Sequence, residues 1–316
     1  MKEIGGYFGL EQFTGSEYHK GLLALNNGRS ALLYLLKARK ISKLYIPYFL
    51  CDSISNLCDQ HGYSYEYYPI DSSFLPVFDF SLSDSEWLYV VNFYGQINNS
   101  QVAALKSRYN NIIFDNVHAF FQNPVAGVDT IYSCRKFFGV PDGAYLSTQA
   151  VLDETLEQDI SKDRMRHILG RYEGCASDYY ADFKSNDHSF STLPLRRMSK
   201  LTHNLMSGVN YDSVRATRNA NYAYLAASLG GHNKLCLSAP DGPYCYPFYY
   251  CNGMELKKAL AEEHIYVATL WPNVLTCGAQ LEIDYAKNIL PLPCDQRYDS
   301  GDMRRVIDAI LRYLGK

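Results

Sequence analysis

The most restrictive feature of this chain is an alternation of two periodicities that runs from Gly28 to about Thr148. Ser30 to Lys40 carries apolar residues at helical spacing behind a glycine-containing start, and Lys43-Leu44-Tyr45-Ile46 is a short β-like run stopped by Pro47. A helical pattern from Asp52 to His61 precedes the strand-like Ser64 to Ile70, and Trp87 to Val91 is strand-like again. Ser100 to Tyr109 reads as a helix, Asn111 to Phe114 as a strand, and β-type apolar segments flank Lys136 on both sides. Strands that are apolar almost throughout are buried on both faces. The alternation therefore predicts an α/β fold, a three-layer αβα sandwich with a mostly parallel sheet covered by helices. Ligands of such sheets bind beyond the carboxyl ends of the strands. That rule puts Asn92, Asp115 and Ser133, each at the end of a strand-like run, on one rim.

The remaining sequence is organised differently. From Asp153 to about Leu229 it reads as helical segments interrupted by a polar stretch near Ser185 to Ser191. Gly242 to Tyr250 is strand-like, Gly253 to His264 helical, and Asp302 to Leu314 an amphipathic helix. A chain of 316 residues exceeds one ordinary core. We expect a large domain over 1–232, including a helical return segment, and a small α+β domain over 233–316. With 30 basic and 33 acidic side chains well mixed, no basic block suggests nucleic acid and no acidic tail suggests an interaction arm. The first residues show no apolar run behind their charges, and no stretch approaches the roughly 18 apolar residues of a membrane span, so a cytoplasmic protein is expected. Nine scattered cysteines without a Cys-x-x-Cys fit reduced thiols better than disulfides or a metal site.

Three separated elements carry chemistry. Lys136 lies before a Pro141-Asp142-Gly143 turn, Asp115 ends the apolar run Ile112-Ile113-Phe114, and Asn27-Gly28-Arg29-Ser30 opens a helix. Singly, each has an ordinary explanation: a solvated basic pair with Arg135, a surface carboxylate, a turn and cap. Together they match the needs of pyridoxal 5'-phosphate: an amine for the aldehyde, a carboxylate for the ring nitrogen and a helix N-terminus for the phosphate. Lys136 would be the covalent anchor and then the acid/base at the substrate α-carbon. Asp115 would keep the pyridine nitrogen protonated, while Gly28, Arg29, Ser30 and Ser133 would serve the phosphate. His118 would stack on or hydrogen-bond the ring, or is a structural histidine. Tyr7, Tyr94 and Trp271 are candidates for a substrate mouth.

In these residues the chain resembles the DegT/DnrJ/EryC1/StrS family of pyridoxal phosphate-dependent sugar aminotransferases, of fold type I. Asn27 to Leu32 is similar to that family's phosphate-binding turn, and Ile46 to Cys51 to the segment that lends a ring-stacking side chain, with Cys51 near the stacker's position. Val91-Asn92-Phe93-Tyr94-Gly95-Gln96 resembles a Val-His-Leu-Tyr-Gly-Gln strand, Asn92 standing for the His. Ile113 to Ala119 resembles the Glu-Asp-Ala-Ala-Gln/His signature, Ser133 to Ala144 a compressed Schiff-base segment, and Leu290 to Tyr298 the Leu-Pro-(Ile/Val)-x-Gln-Arg-Tyr close.

The resemblance implies transfer of an amino group from an amino-acid donor, glutamate by expectation, to a carbonyl acceptor such as a keto-sugar or nucleotide-sugar of surface polysaccharide biosynthesis. It also implies a homodimer with shared active sites, with Asn210, Arg215, Arg218 and Asn219 as places to search for residues lent to the partner. A sugar dehydratase or lyase on the same scaffold, or a non-catalytic ligand-binding protein of this fold, are the alternatives. Lys136 favours transamination over the dehydratases, some of which carry His at its position.

Overall fold

The computed structural model describes residues 4–315. In chain order the elements of its first part are β1 (Leu23–Leu25), α1 (Gly28–Ala38), β2 (Lys43–Pro47), α2 (Ser53–His61), β3 (Ser64–Tyr68), β4 (Glu86–Val91), α3 (Asn99–Tyr109), β5 (Ile112–Asp115), β6 (Asp129–Ser133) and β7 (Ala144–Ser147). Four helices follow: α4 (Arg166–Glu173), α5 (Tyr180–Ser189), α6 (Lys200–Ser207) and α7 (Tyr211–Leu229). The last part comprises β8 (Tyr246–Tyr249), α8 (Gly253–Glu262), α9 (Val274–Cys277), α10 (Gln280–Asn288), β9 (Ile289–Leu292) and α11 (Ser300–Leu314).

The first seven strands form one sheet in the order β1-β7-β6-β5-β4-β2-β3. From β3 to β6 the pairs are parallel, and β7 runs antiparallel to both β6 and β1. The mostly parallel sheet is thus the one the alternation predicts. The antiparallel strand follows from the short connection between β6 and β7, too short for a parallel crossover. Central strands β4 and β5 are buried nearly throughout, whereas the edge strand β3 exposes most of its residues.

Local chemistry sets the helix ends near the rim. Asn27 caps α1, its Oδ1 accepting from Ser30 N at 2.9 Å. Seven consecutive residues of α1, Ser30 to Leu36, are buried, because this helix lies against the sheet and under other elements at once. At its far end Arg39 grips Asp129, the first residue of β6, through two 2.9 Å bonds. Such a bidentate pair locks α1 in place along β6.

The polar stretch expected to interrupt the helices does so only at its end, since Ser185 to Ser189 belong to α5. Its Asn186 is buried and donates to Pro141 O at 3.1 Å, an anchor that hydropathy cannot reveal. Conversely, Asp153 to Ser161 is irregular; it is tied down by Asp159 N to Arg197 O and Arg197 N to Glu157 O. A second sheet, the antiparallel pair β8–β9, shares an apolar core with α8, α11 and Tyr222, Leu225 and Leu229 of α7. A third cluster of Phe120, Tyr132, Phe137, Phe138, Tyr145 and Met206 lies under the loop that carries Lys136. Each fully buried side chain of this size contributes roughly 1.5–3 kcal/mol. Phe137 and Phe138 therefore pin the loop directly behind Lys136.

Candidate active site

The register of the sheet assembles the rim. Val91, Asp115 and Ile131 stand side by side on β4, β5 and β6, so Asn92, Asp115 and Ser133 come to one edge as expected. Gly28 lies over β6, where an added Cβ would stand 4.0 Å from Ile131 Cγ2. Gly143 N donates to Asn26 O at 2.7 Å, which joins the Lys136 loop to the turn before α1. Asp142 is fully buried and accepts from Ser199 N and Oγ, each at 2.8 Å, and from Thr202 Oγ1 at the start of α6. A carboxylate at a helix N-terminus meets unpaired amides and the positive end of the helix dipole. The Pro-Asp-Gly turn is thereby fixed from below.

Asp115 is 4 % exposed, and both its carboxylate oxygens are held. Oδ2 accepts from the Tyr89 hydroxyl at 2.6 Å and Oδ1 from Val117 N at 2.9 Å. Burial pushes its pKa above the usual carboxylate range, while the Tyr89 and Val117 bonds and the Lys136 charge pull the other way. Tyr89 escaped the sequence reading, although it lies two residues before Val91 on the same face of β4 as Asp115's neighbour, a period-two relation that could have identified it.

His118 is 1 % exposed and held neutral, its pKa well below the ordinary value through burial and then the nearby Lys136 charge. Its ring stacks on Tyr244 at 4.2 Å and 3°, and on Trp271 at 5.7 Å and 22°. Nδ1 faces Tyr94 N at a long 3.5 Å, which assigns the proton to Nε2, and Nε2 has no partner among the described residues. Two more buried donors are equally without partners: Asn27 Nδ2 at the α1 turn and Asn116 Nδ2 next to Asp115. Buried polar groups are nearly always satisfied. Three orphan donors around one rim are what a polar ligand would use.

Lys136 itself is exposed and its Nζ makes no hydrogen bond or ion pair among the described residues. It lies 5.8 Å from the centre of the Tyr244 ring, in an open cleft of about 760 Å³. Arg135, Arg171, Asp295 and Arg297 line this cleft together with Phe137, Phe138, Ile168, Tyr172, Phe183 and Tyr244, so its walls are largely apolar and aromatic with a few cationic groups among them. Asp295 and Arg297 pair through two bonds of 2.7 and 2.8 Å. Among the described residues no group of His, Cys, Asp and Glu side chains converges as a metal site would require, and no helix is long and apolar enough to cross a membrane.

Several expected site residues are engaged elsewhere. Asn92 is fully buried, and its amide donates to Ile97 O, Asn116 Oδ1 and Gln122 Oε1 while accepting from Ile97 N, leaving nothing for a cofactor. It orients Asn116 instead. Cys51 Sγ lies 2.8 Å from Ser53 Oγ and offers no ring to stack. The adjacent Phe49 is buried against Trp271 and Phe93. The Ser30 N–H is used by the Asn27 cap, so Gly28 and Arg29 amides and the Ser30 hydroxyl are what the α1 turn can still offer.

Of the three mouth candidates, Tyr94 and Trp271 are buried around His118, both with φ of 56°, and Tyr7 stands 98 % exposed on the N-terminal arm. Asn210 caps α7, Arg215 pairs with Asp212 and Asp241, Asn219 binds Asp241 and Gly242 N, and Arg218 is buried. Of these four, Arg218 is buried, while Asn210 is exposed with its Nδ2 unengaged among the described residues. The Asn210–Ser213 and Arg215–Asp212 contacts are local, three residues apart, whereas those of Asn219 and Arg218 join segments 22 to 81 residues apart.

No protein-family model matches the chain, and no curated protein matches it in sequence. In structure it is similar to a DegT DnrJ EryC1 StrS aminotransferase from Brucella abortus, at 15% identity over 93% of this chain and 86% of that one, with a TM-score of 0.63. It is also similar to S. venezuelae DesV, solved in complex with a ketimine intermediate, at 16% identity over 93% and 85% with a TM-score of 0.62. A third neighbour is ntda from Bacillus subtilis, solved with bound cofactor PMP, at 13% identity over 93% and 73% with a TM-score of 0.66. The chain therefore has the α/β fold of these three proteins, together with a small antiparallel sheet.

Proposed function

We propose that the protein is a pyridoxal 5'-phosphate-dependent aminotransferase. The observation that carries this is the unpaired Lys136 amine in a cleft, 5.8 Å from the Tyr244 ring that stacks on the buried His118, three residues from the buried Asp115. The orphan donors of Asn27, Asn116 and His118 fit a ligand bearing a phosphate and a polar ring. Neighbours of the same fold include proteins named as aminotransferases, one of them solved in a PMP form.

When bound, the cofactor supplies an aromatic ring able to accept the electrons released at a substrate α-carbon. Asp115, fixed by Tyr89 and Val117, would hold a proton on the cofactor's ring. Gly28 and Arg29 amides, the Ser30 and Ser133 hydroxyls and Asn27 Nδ2 would hold the phosphate. His118 would offer Nε2 as a further donor to the bound group. Lys136 Nζ would be the covalent anchor and the group that takes and returns the proton at the α-carbon of the amino acid.

Glutamate is the proposed donor and a keto-sugar the proposed acceptor, for an open cleft that carries Arg135 and Arg171 among aromatic walls. A homodimer is proposed from the exposed apolar residues Ile4, Tyr7, Phe8 and Leu10 on the N-terminal arm, with large and small domains meeting near residue 232. The test is an absorption spectrum of the purified protein with pyridoxal phosphate, before and after glutamate. A cofactor band that glutamate converts and a keto acceptor restores supports transamination. Ammonia release without that cycle points to a lyase, and no band at all to a non-catalytic protein.

A further inference from the structure

Behind the Lys136 loop lies a buried guanidinium that the proposed chemistry does not use. Arg218 of α7 is 2 % exposed, yet no carboxylate is within ion-pair distance of it among the described residues. All its bonds go to neutral oxygens: Nη1 to Pro243 O at 2.7 Å, Nη2 to Phe137 O at 3.2 Å and Nε to Gln296 Oε1 at 2.7 Å. Gln296 completes the arrangement by donating its own Nε2 to Phe137 O at 2.7 Å. The guanidinium also lies on the Phe137 ring, 4.5 Å from its centre. Burial presses the charged form of Arg218 down from its ordinary range.

A buried charge with no direct ion pair is costly: Asp295 acts on this one only from beyond ion-pair distance, and cores built only for stability seldom contain such a group. What this charge secures is specific. Phe137 follows Lys136, and Pro243 precedes Tyr244, the ring beside the Lys136 amine and against His118. The N–H of Phe137 is in turn bound to Cys134 O at 3.0 Å. Both sides of the Phe137 backbone are thus fixed, one by the loop's own turn and the other by residues from α7 and from the segment after β9.

We infer that Arg218 and Gln296 are positioning residues: together they clamp the Phe137 carbonyl and so set the direction in which Lys136 reaches into the cleft. This rests on the proposed role of Lys136 as the cofactor's anchor. The clamp also couples that reach to the small antiparallel sheet, because Gln296 follows β9.

The test is Gln296→Glu, which keeps the acceptor for Arg218 Nε and removes the donor to Phe137 O. Apo protein is mixed with pyridoxal phosphate, quenched with borohydride at increasing times, and the pyridoxyl label on Lys136 is counted by peptide mass spectrometry. The thermal midpoint is recorded in parallel. The expected result is labelling slowed about tenfold, the rate equivalent of one hydrogen bond, with a midpoint no lower than that of the unaltered protein, because the new carboxylate pairs with Arg218. Should Gln296→Glu fail to fold, Gln296→Met, similar in length, removes the donor to Phe137 O together with the acceptor of Arg218 Nε, and slowed labelling in the folded variant is again expected. Labelling at the unaltered rate in a folded variant overturns the clamp and leaves the cofactor proposal standing. No label on Lys136 in the unaltered protein overturns both.

Discussion

Removing the Tyr89 hydroxyl tests whether Asp115 is a buried carboxylate held ready for a cationic partner. The two oxygens are 2.6 Å apart, with Tyr89 2 % and Asp115 4 % exposed, so water cannot replace the lost bond without opening the sheet. A hydrogen bond to an ionised group contributes about 1.5–3 kcal/mol and a neutral one about 0.5–1.5 kcal/mol. Tyr89→Phe, which preserves the ring packing, should cost the larger amount in the native protein. In an Asp115→Asn background, where no charge remains, it should cost the smaller amount. The double-mutant cycle therefore predicts a coupling of about 1–1.5 kcal/mol, measured by urea unfolding of the cofactor-free protein at neutral pH. Equal costs in the two backgrounds, to within about 0.3 kcal/mol, would refute the claim that Tyr89 stabilises a carboxylate.

Two further outcomes follow from groups outside the chemistry. Gly143 has φ of +114°, and a Cβ there would meet Thr202 Cγ2 at 3.0 Å and Cys134 Sγ at 3.1 Å. Gly143→Ala should therefore lose at least about 1–3 kcal/mol in urea unfolding and loosen the Lys136 loop, and a neutral effect would contradict the packing described. His19 is buried with its pKa lowered to about 4, burial outweighing its 2.7 Å bond to Phe120 O. Its unfolded pKa is near 6.5, so below that value the unfolded chain binds a proton that the folded chain refuses. The contribution of His19 is complete above pH 6.5 and falls by about 1.4 kcal/mol per pH unit as the pH drops towards 4. His19→Gln should flatten the acid side of the stability profile, and an unchanged slope would show that His19 does not control it.

Much of this architecture is legible in the sequence because it rests on local physics. The strands from β2 to β6 and helices α1 to α3 show their own periods, and the rule that ligands sit beyond strand ends brings Asp115 and Ser133 to one rim without any knowledge of contacts. What escapes is set by pairing across the chain. Asn92 looks like a cofactor contact until three acceptors, the farthest 30 residues away, are seen to use its amide. Arg218 looks like a surface donor until its carbonyl partners converge from three segments. β1, only three residues long, carries too little pattern to read, and β7 reverses direction for reasons of loop length. Trp271 and Tyr94 were rightly singled out as aromatic, but a linear pattern cannot tell a mouth from a buried stack.

The central claim, that Lys136 is the anchor of a pyridoxal phosphate site, is tested most directly by reducing the protein with borohydride in the presence of the cofactor and mapping the modified peptide. The account predicts one pyridoxyl group per chain, on Lys136, absent from Lys136→Ala. Label spread over exposed lysines such as Lys40 and Lys258, with none on Lys136, would contradict it.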